Sequence, residues 1–203
     1  MQRILEKRER SLGTKLSIKG NRCNSPKCAL IRKPHRPGQH GMRHSKQTEF
    51  GRQVVEKQKI RFSYGLSDRQ LKAVFTRAAS GAAETPKAVV AELESRLDNV
   101  TYRLGLADSR SISRKLVGHG HFIVNGRKVT IPSYKVRTGD IIAIRPQSAD
   151  VPNFKDLKSR LKDYQVPSWL SLDKEKLEGK VISAPKDINV PFDIGFVVDY
   201  YLR

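Results

Sequence analysis

The chain has few features that would cross-link it or hold it in a membrane. Only two of its 203 residues are cysteine, Cys23 and Cys28. Two thiols give no disulfide framework and suit a reducing compartment. No apolar run approaches the roughly 20 residues that span a bilayer, and the first residues lack the pattern of a secretory signal. We therefore expect a soluble, intracellular protein with no membrane partner.

Acidic residues are scarce relative to basic ones. The sequence has 40 Lys and Arg against 20 Asp and Glu, which gives a formal net charge of +20. Such a charge repels itself and is destabilising unless a polyanion neutralises it. Nucleic acid is the first candidate partner, and an anionic membrane surface is the second. The hydrophobic fraction, 37%, is low for a self-sufficient globule, so part of the chain is expected to order only on its partner.

The pattern along the chain predicts an α+β fold in four segments: a basic extension (1–47), a helical domain (48–90), a compact basic module (91–150) and a C-terminal part (151–203). The extension has no sustained periodicity. It is either a disordered basic tail or a shaped loop. The density of proline and glycine over residues 34–41 favours the shaped loop.

Helical signals begin at Thr48. A weakly amphipathic helix is expected to end before Gly65, and the Ser67–Gln70 capping box opens a second helix. Thr85 and Pro86 predict the start of a third helix that runs to Gly105. The buried stripe of this long helix would comprise Val89, Leu93, Leu97, Val100 and Leu104.

The module then continues with a short helix capped by Asp108 or Ser109 and a hairpin. Burial of Ile112 and Leu116 would expose Arg110, Ser113, Arg114 and Lys115 on the short helix. On the preceding helix, burial of the apolar stripe would leave Arg96, Asn99 and Arg103 facing outward. Asn125-Gly126 predicts a type I′ turn with positive φ at both residues. Farther on, residues 154–164 are predicted to be helical and residues 194–202 to form a β segment that packs back on one or both domains.

Residues 93–145 resemble the S-four RNA-binding module, two short helices packed on a small antiparallel sheet. The motifs that carry the resemblance are LESRLDNVTYRLGLADSR and RKLVGHGHFIVNGRKVTIPSYKVRTGD. The remainder is similar to the small-subunit ribosomal protein family after which the module is named. The similar segments are KGNRCNSPKCALIRKPHRPGQHG, EKQKIRFSYGLSDRQLKAVF, WLSLD and FVVDYYLR.

This resemblance implies a structural protein that binds 16S ribosomal RNA at a five-way helical junction and nucleates small-subunit assembly. It also implies a contact with ribosomal protein S-five, a place at the channel where messenger RNA enters, and a role in translational accuracy. The location would be the cytoplasmic ribosome, or an organelle ribosome if the source is an organelle. No small-molecule substrate is expected.

The residues expected to bind RNA are the basic, amide, hydroxyl and aromatic side chains of the extension, the first helices and the module. They are Arg22, Lys27, Arg32, Lys33, Arg36, Gln39, His40, Arg43, Lys46, Lys57, Lys59, Arg61, Tyr64, Arg69, Arg96, Arg103, Ser109, Arg110, Ser113, Arg114, Lys115, His119, His121, Asn125, Arg127 and Lys128.

Two alternatives share the module: an RNA-modifying enzyme, and an RNA-binding stress or recycling factor. The tripeptide from Arg96 to Asp98 superficially resembles a catalytic motif of pseudouridine synthases. It lies inside a module helix, however, so we expect Asp98 to form a local ion pair or cap, and we expect no enzyme. The extension and its GQHG loop should be missing from both alternative classes.

Some members of the resembled family carry zinc on two cysteine pairs. Cys23 and Cys28 match the second pair, but Glu6 and Glu9 replace the first. Structural zinc prefers four thiolate or imidazole ligands. His35 or His40 is a conceivable substitute ligand, but we expect no zinc and no other cofactor.

Overall fold

A computed structural model describes residues 6–43, 46–81, 84–186, 188 and 190–202. The helices are α1 (Lys7–Leu12), α2 (Ala29–Arg32), α3 (Glu49–Tyr64), α4 (Asp68–Ala79), α5 (Thr85–Glu94), α6 (Leu97–Arg103), α7 (Arg110–Gly118), α8 (Pro152–Lys155), α9 (Leu157–Leu161) and α10 (Gly195–Leu202). The strands are β1 (Phe122–Val124), β2 (Arg127–Lys128), β3 (Ile141–Ile144), β4 (Leu170–Asp173) and β5 (Glu178–Val181). Short 3-10 helices span Gly20–Asn24 and Pro146–Ser148.

The chain divides into two compact units, each with its own core. Unit one comprises the described parts of residues 1–89 and 188–203, and unit two those of 90–187. The C-terminal part, 151–203, is therefore shared between the units. The α+β class is confirmed.

Unit one is built on α3, against which α10 packs. Helix α3 begins after Thr48, whose hydroxyl accepts the amide of Gly51, and ends at Gly65 in the left-handed conformation. The predicted capping box of Ser67 and Gln70 is confirmed at the start of α4. Both boundaries follow from local hydrogen bonds that the sequence alone encodes.

The prediction of a β segment over residues 194–202 is wrong, because this segment forms helix α10. Its valines and tyrosines favour strands, but Val197 is fully buried and the rings of Phe75 and Tyr201 lie 5.1 Å apart. Packing thus overrides propensity. The Asp193 carboxylate accepts the Gly195 amide at 2.8 Å, a local signal for the helix start.

The single long helix predicted from Thr85 to Gly105 is also wrong. The chain breaks at Ser95 and Arg96, and Arg96 has extended backbone angles. Residues 132–136 lie along this break: Leu97 donates its amide to the Tyr134 carbonyl, and Val136 donates to the Ser95 carbonyl, both at 2.9 Å. The predicted apolar stripe is nevertheless buried throughout. Helices α5 and α6 turn inward the same side chains that the single long helix would have buried.

Unit two contains an antiparallel sheet with the strand order β2-β1-β3-β5-β4. Phe122, Val124 and Ile142 point from it into the core, and helices α6 and α7 pack against each other. The hairpin prediction is confirmed, since φ is +50° at Asn125 and +78° at Gly126. The predicted helix over 154–164 is confirmed only in part, because the chain breaks at Asp156 into α8 and α9, and α9 ends at Leu161.

Candidate nucleic-acid interface

The basic extension has a defined shape, as predicted. Arg10 in α1 donates its Nε to the carbonyls of Lys33 (2.8 Å) and His35 (3.2 Å). The loop then turns tightly, because a Cβ on Gly41 would lie 1.9 Å from the Arg36 carbonyl oxygen. A cleft of about 480 Å³ lies beside this loop.

Nearly all predicted contacts in the extension lie on its surface. The exposed side chains are Arg22, Lys27, Arg32, Lys33, Arg36, Gln39, His40, Arg43 and Lys46. Arg22 forms an ion pair with Glu6 at 3.0 Å. The others in this set are placed where a polyanion can reach them.

The predicted contacts on α3 are less accessible. Tyr64 is buried, so the structure contradicts its assignment as a surface contact. Arg61 pairs with Asp68 at 2.9 Å, and Lys59 pairs with Glu56 at 2.6 Å. Lys57 donates to the Tyr200 hydroxyl at 3.0 Å. These three cations stabilise unit one, and of this group only Arg69, on α4, is exposed.

Two buried carboxylates organise the arginines of unit two. Glu94 is 0% exposed and Asp98 is 4% exposed. Arg103 binds Glu94 through two contacts of 2.8 and 2.9 Å, and Arg110 approaches the same carboxylate at 3.7 Å. The buried charge of Glu94 is thereby compensated.

Asp98 has an equivalent pair of partners. Arg96 binds it through contacts of 2.7 and 3.0 Å, and Arg114 lies 3.4 Å away. The expected ion pair of Asp98 is therefore confirmed. The four arginines are partly exposed and held in fixed positions. A guanidinium group held in this way loses little conformational entropy when it binds phosphate.

The predicted helix faces were wrong at several positions. Asn99 and Ser113 do not face outward but are buried. Asn99 donates to Glu94 at 2.6 Å and accepts from Arg110 at 2.7 Å, while Ser113 donates to the Asp98 carbonyl. Ser109 is buried as the cap of α7, accepting the Ile112 amide. These polar side chains form hydrogen bonds inside the core instead of facing solvent.

Five further face assignments were also wrong. Arg96 and Arg103 do not point freely outward, because they are anchored to the buried carboxylates. Arg110 and Arg114 are half-buried rather than exposed, and Ile112 is half-buried rather than buried. The arginine side chains on and beside α6 and α7 thus fold back over the carboxylates of Glu94 and Asp98.

The predicted contacts of unit two that are exposed lie in the last turn of α7, directly after it and around the hairpin. Lys115, His119, Asn125, Arg127 and Lys128 are exposed, and His121 is half-buried. Arg145, which the sequence reasoning missed, lies beside His121, its amide donating to the His121 carbonyl at 2.9 Å. The sequence signal for Arg145 was its place at the end of β3, next to β1.

Comparison with known proteins identifies the two parts of the chain. A family model described as the S4 domain matches residues 95–142, and one described as the ribosomal protein S4/S9 N-terminal domain matches residues 4–96. The protein named small ribosomal subunit protein uS4 of Halothermothrix orenii is 45% identical over 193 residues, covering 94% of this chain and 93% of its own length. The chain belongs to the uS4 family.

Other relatives match the chain over an equally long segment. The uS4A protein of Alkaliphilus metalliredigens is 46% identical over 193 residues and the uS4 protein of Thermus thermophilus 43% identical over 194 residues; in both cases 94% of this chain and 93% of the relative are covered. As a uS4 family member the chain is a structural ribosomal protein with an RNA-binding domain, and not an enzyme. The N-terminal match is the feature that the alternative classes should lack.

The residues at the zinc position of some family members do not fit zinc here. The Glu9 carboxylate is buried and accepts the amides of Leu16 (2.9 Å) and Ile18 (3.2 Å). The Cys23 thiol donates to it at 3.8 Å, and burial followed by nearby Glu9 raises the pKa of Cys23. A carboxylate that already accepts two amides and a thiol is a poor replacement for a zinc-binding thiolate.

No three or more His, Cys, Asp or Glu side chains in the described part of the chain are arranged to hold a metal ion. The absence of zinc stays a prediction. Within the same residues, no helix has the length and apolar character needed to cross a membrane.

Proposed function

We propose that this chain binds small-subunit ribosomal RNA directly and organises it during assembly. The observation that carries the proposal is the array of four arginines fixed on Glu94 and Asp98 in unit two. Exposed cations of the extension and of the hairpin bind backbone phosphates and add affinity that does not depend on the RNA sequence. The net charge of +20 agrees with such a polyanionic partner.

The proposal extends to four finer points that the family resemblance supports. The RNA element is a multi-helix junction of 16S ribosomal RNA. Exposed Arg43 and Lys46, which follow the GQHG loop, would face messenger RNA where it enters the subunit, with an effect on translational accuracy. Ribosomal protein S-five is the proposed protein neighbour, and the cytoplasm or an organelle the proposed compartment.

The salt dependence of RNA binding tests the direct contact. If about eight phosphates are contacted, the plot of log affinity against log salt should have a slope of roughly −6 to −7. The measurement is equilibrium binding of the full chain to a junction-containing 16S fragment across a salt series. A slope shallower than about −2 contradicts a phosphate-dominated interface.

Single variants locate the contacts. Lys115→Ala, which removes an exposed cation at the end of α7, should reduce the magnitude of the slope by about one. Lys87→Ala is the matched control: Lys87 is exposed on α5, pairs with Glu84 at 2.8 Å, and is outside the proposed interface. Its slope should equal that of the parent chain.

A further inference from the structure

Four basic side chains converge where α7 ends and β1 begins. The ring centroids of His119 and His121 lie 6.0 Å apart. Between them, Gly120 has φ of +76°, and a Cβ there would lie 2.2 Å from Lys128 Cε and 3.1 Å from its Nζ. The Lys128 side chain therefore crosses the Gly120 backbone. Arg145 is next to this group: its amide donates to the His121 carbonyl at 2.9 Å, and its positive charge lies close enough to lower the pKa of the His121 ring.

The position of the His121 ring is fixed on two sides. Its Nδ1 lies 3.0 Å from the Ser148 hydroxyl, and the ring packs edge-on against Phe154 with centroids 6.1 Å apart. These contacts leave Nε2 as the nitrogen for a ligand. A hydrogen bond at one ring nitrogen orients the other, as in many sites where histidine binds an anion or a metal.

The charged groups that act on His121 are all basic. Burial, followed by His119, Arg145 and Lys128, lowers the pKa of His121 below its usual range. These groups come from the end of α7, from β2 and from the residue after β3. Near neutral pH the imidazole is therefore uncharged in the free protein. A phosphate placed among these cations would reverse the electrostatic balance and favour the protonated ring.

We propose that His119, His121, Lys128 and Arg145 form a phosphate subsite at which RNA binding takes up a proton on the His121 imidazole. The inference rests on the proposed function, since the phosphate is that of the RNA backbone. In the bound state, His121 donates from Nε2 to a phosphate oxygen, next to the Lys128 ammonium and the Arg145 guanidinium. Unlike the four anchored arginines, this subsite makes affinity depend on pH.

The sign of this dependence follows from linkage. The bound state holds more protons than the free state, so affinity is highest at low pH. It is lost as pH rises through the pKa of the bound His121 imidazole. Between the free and bound pKa values, affinity should change about tenfold per pH unit for each proton taken up.

The test measures RNA binding of the full chain by calorimetry between about pH 6 and pH 8, in buffers with different ionisation enthalpies. The probe is the junction-containing 16S fragment. The expected result is uptake of about one proton near neutral pH, with weaker binding at higher pH. His121→Gln should remove most of the uptake and flatten the pH profile.

His35→Gln is the matched control, because it removes a half-buried imidazole of unit one outside the subsite. It should keep the parent pH profile. Histidine NMR signals give a second readout: the titration midpoint of His121 should rise when RNA is added. Binding that is tight without proton uptake, or an unchanged His121 midpoint, overturns the subsite while RNA binding stands. Absence of binding at every pH overturns both proposals.

Discussion

Replacing Glu94 with alanine is expected to lower the free energy of unfolding of unit two by about 3–5 kcal/mol, the usual effect of removing one partner from a buried ion pair. Arg103 and Arg110 would each lose a carboxylate contact. Asn99 would lose the carboxylate acceptor at 2.6 Å and keep the backbone carbonyl of residue 94 at 3.1 Å. Urea unfolding of the variant and of the parent chain measures the difference.

The same variant should bind RNA more weakly at temperatures at which it is still folded, because Arg103 and Arg110 are no longer held in position. Glu175→Ala is the matched control, as it removes the same charge from an exposed turn. It should change stability by less than about 0.5 kcal/mol. If Glu94→Ala unfolds like this control, Glu94 does not anchor the arginines.

The second large effect is expected at Gly179 in β5. A Cβ at this position would lie 2.3 Å from Leu104 Cδ1 and 2.6 Å from Cδ2, and Leu104 is fully buried. Gly179→Ala should therefore cost about 1–3 kcal/mol through overpacking. Thermal unfolding followed by circular dichroism measures the loss.

Gly118→Ala provides the opposite case in the same unit. Gly118 lies at the end of α7, a Cβ there meets nothing within 4 Å, and its φ is not positive. Alanine should stabilise the helix by up to about 1 kcal/mol. If Gly179→Ala is as stable as Gly118→Ala, the sheet does not pack under Leu104 as described.

Features encoded by neighbouring residues could be predicted from the sequence. The Ser67–Gln70 capping box, the end of α3 at Gly65 and the Asn125-Gly126 turn all depend on hydrogen bonds or φ values within a few residues. The apolar stripe of α5 and α6 was also predictable, because its spacing follows the helical period. The family resemblance supplied the helix pair packed on a small antiparallel sheet.

Features set by distant residues could not be predicted. The break at Ser95 and Arg96 depends on backbone partners in residues 132–136, and α10 depends on packing against α3. The arginines were assigned outward because charged residues usually face solvent. Glu94 and Asp98, four residues apart among arginines, were the signal for a buried ionic network that the helical pattern alone did not reveal.

Co-sedimentation with the small ribosomal subunit tests the central claim most directly. The full chain, labelled and added to subunits depleted of their own copy, is centrifuged through a gradient at low and at high salt. We predict that it sediments with the small subunit at low salt and leaves it only at high salt, because phosphate contacts dominate the interface. A chain that stays at the top of the gradient at low salt would contradict the account.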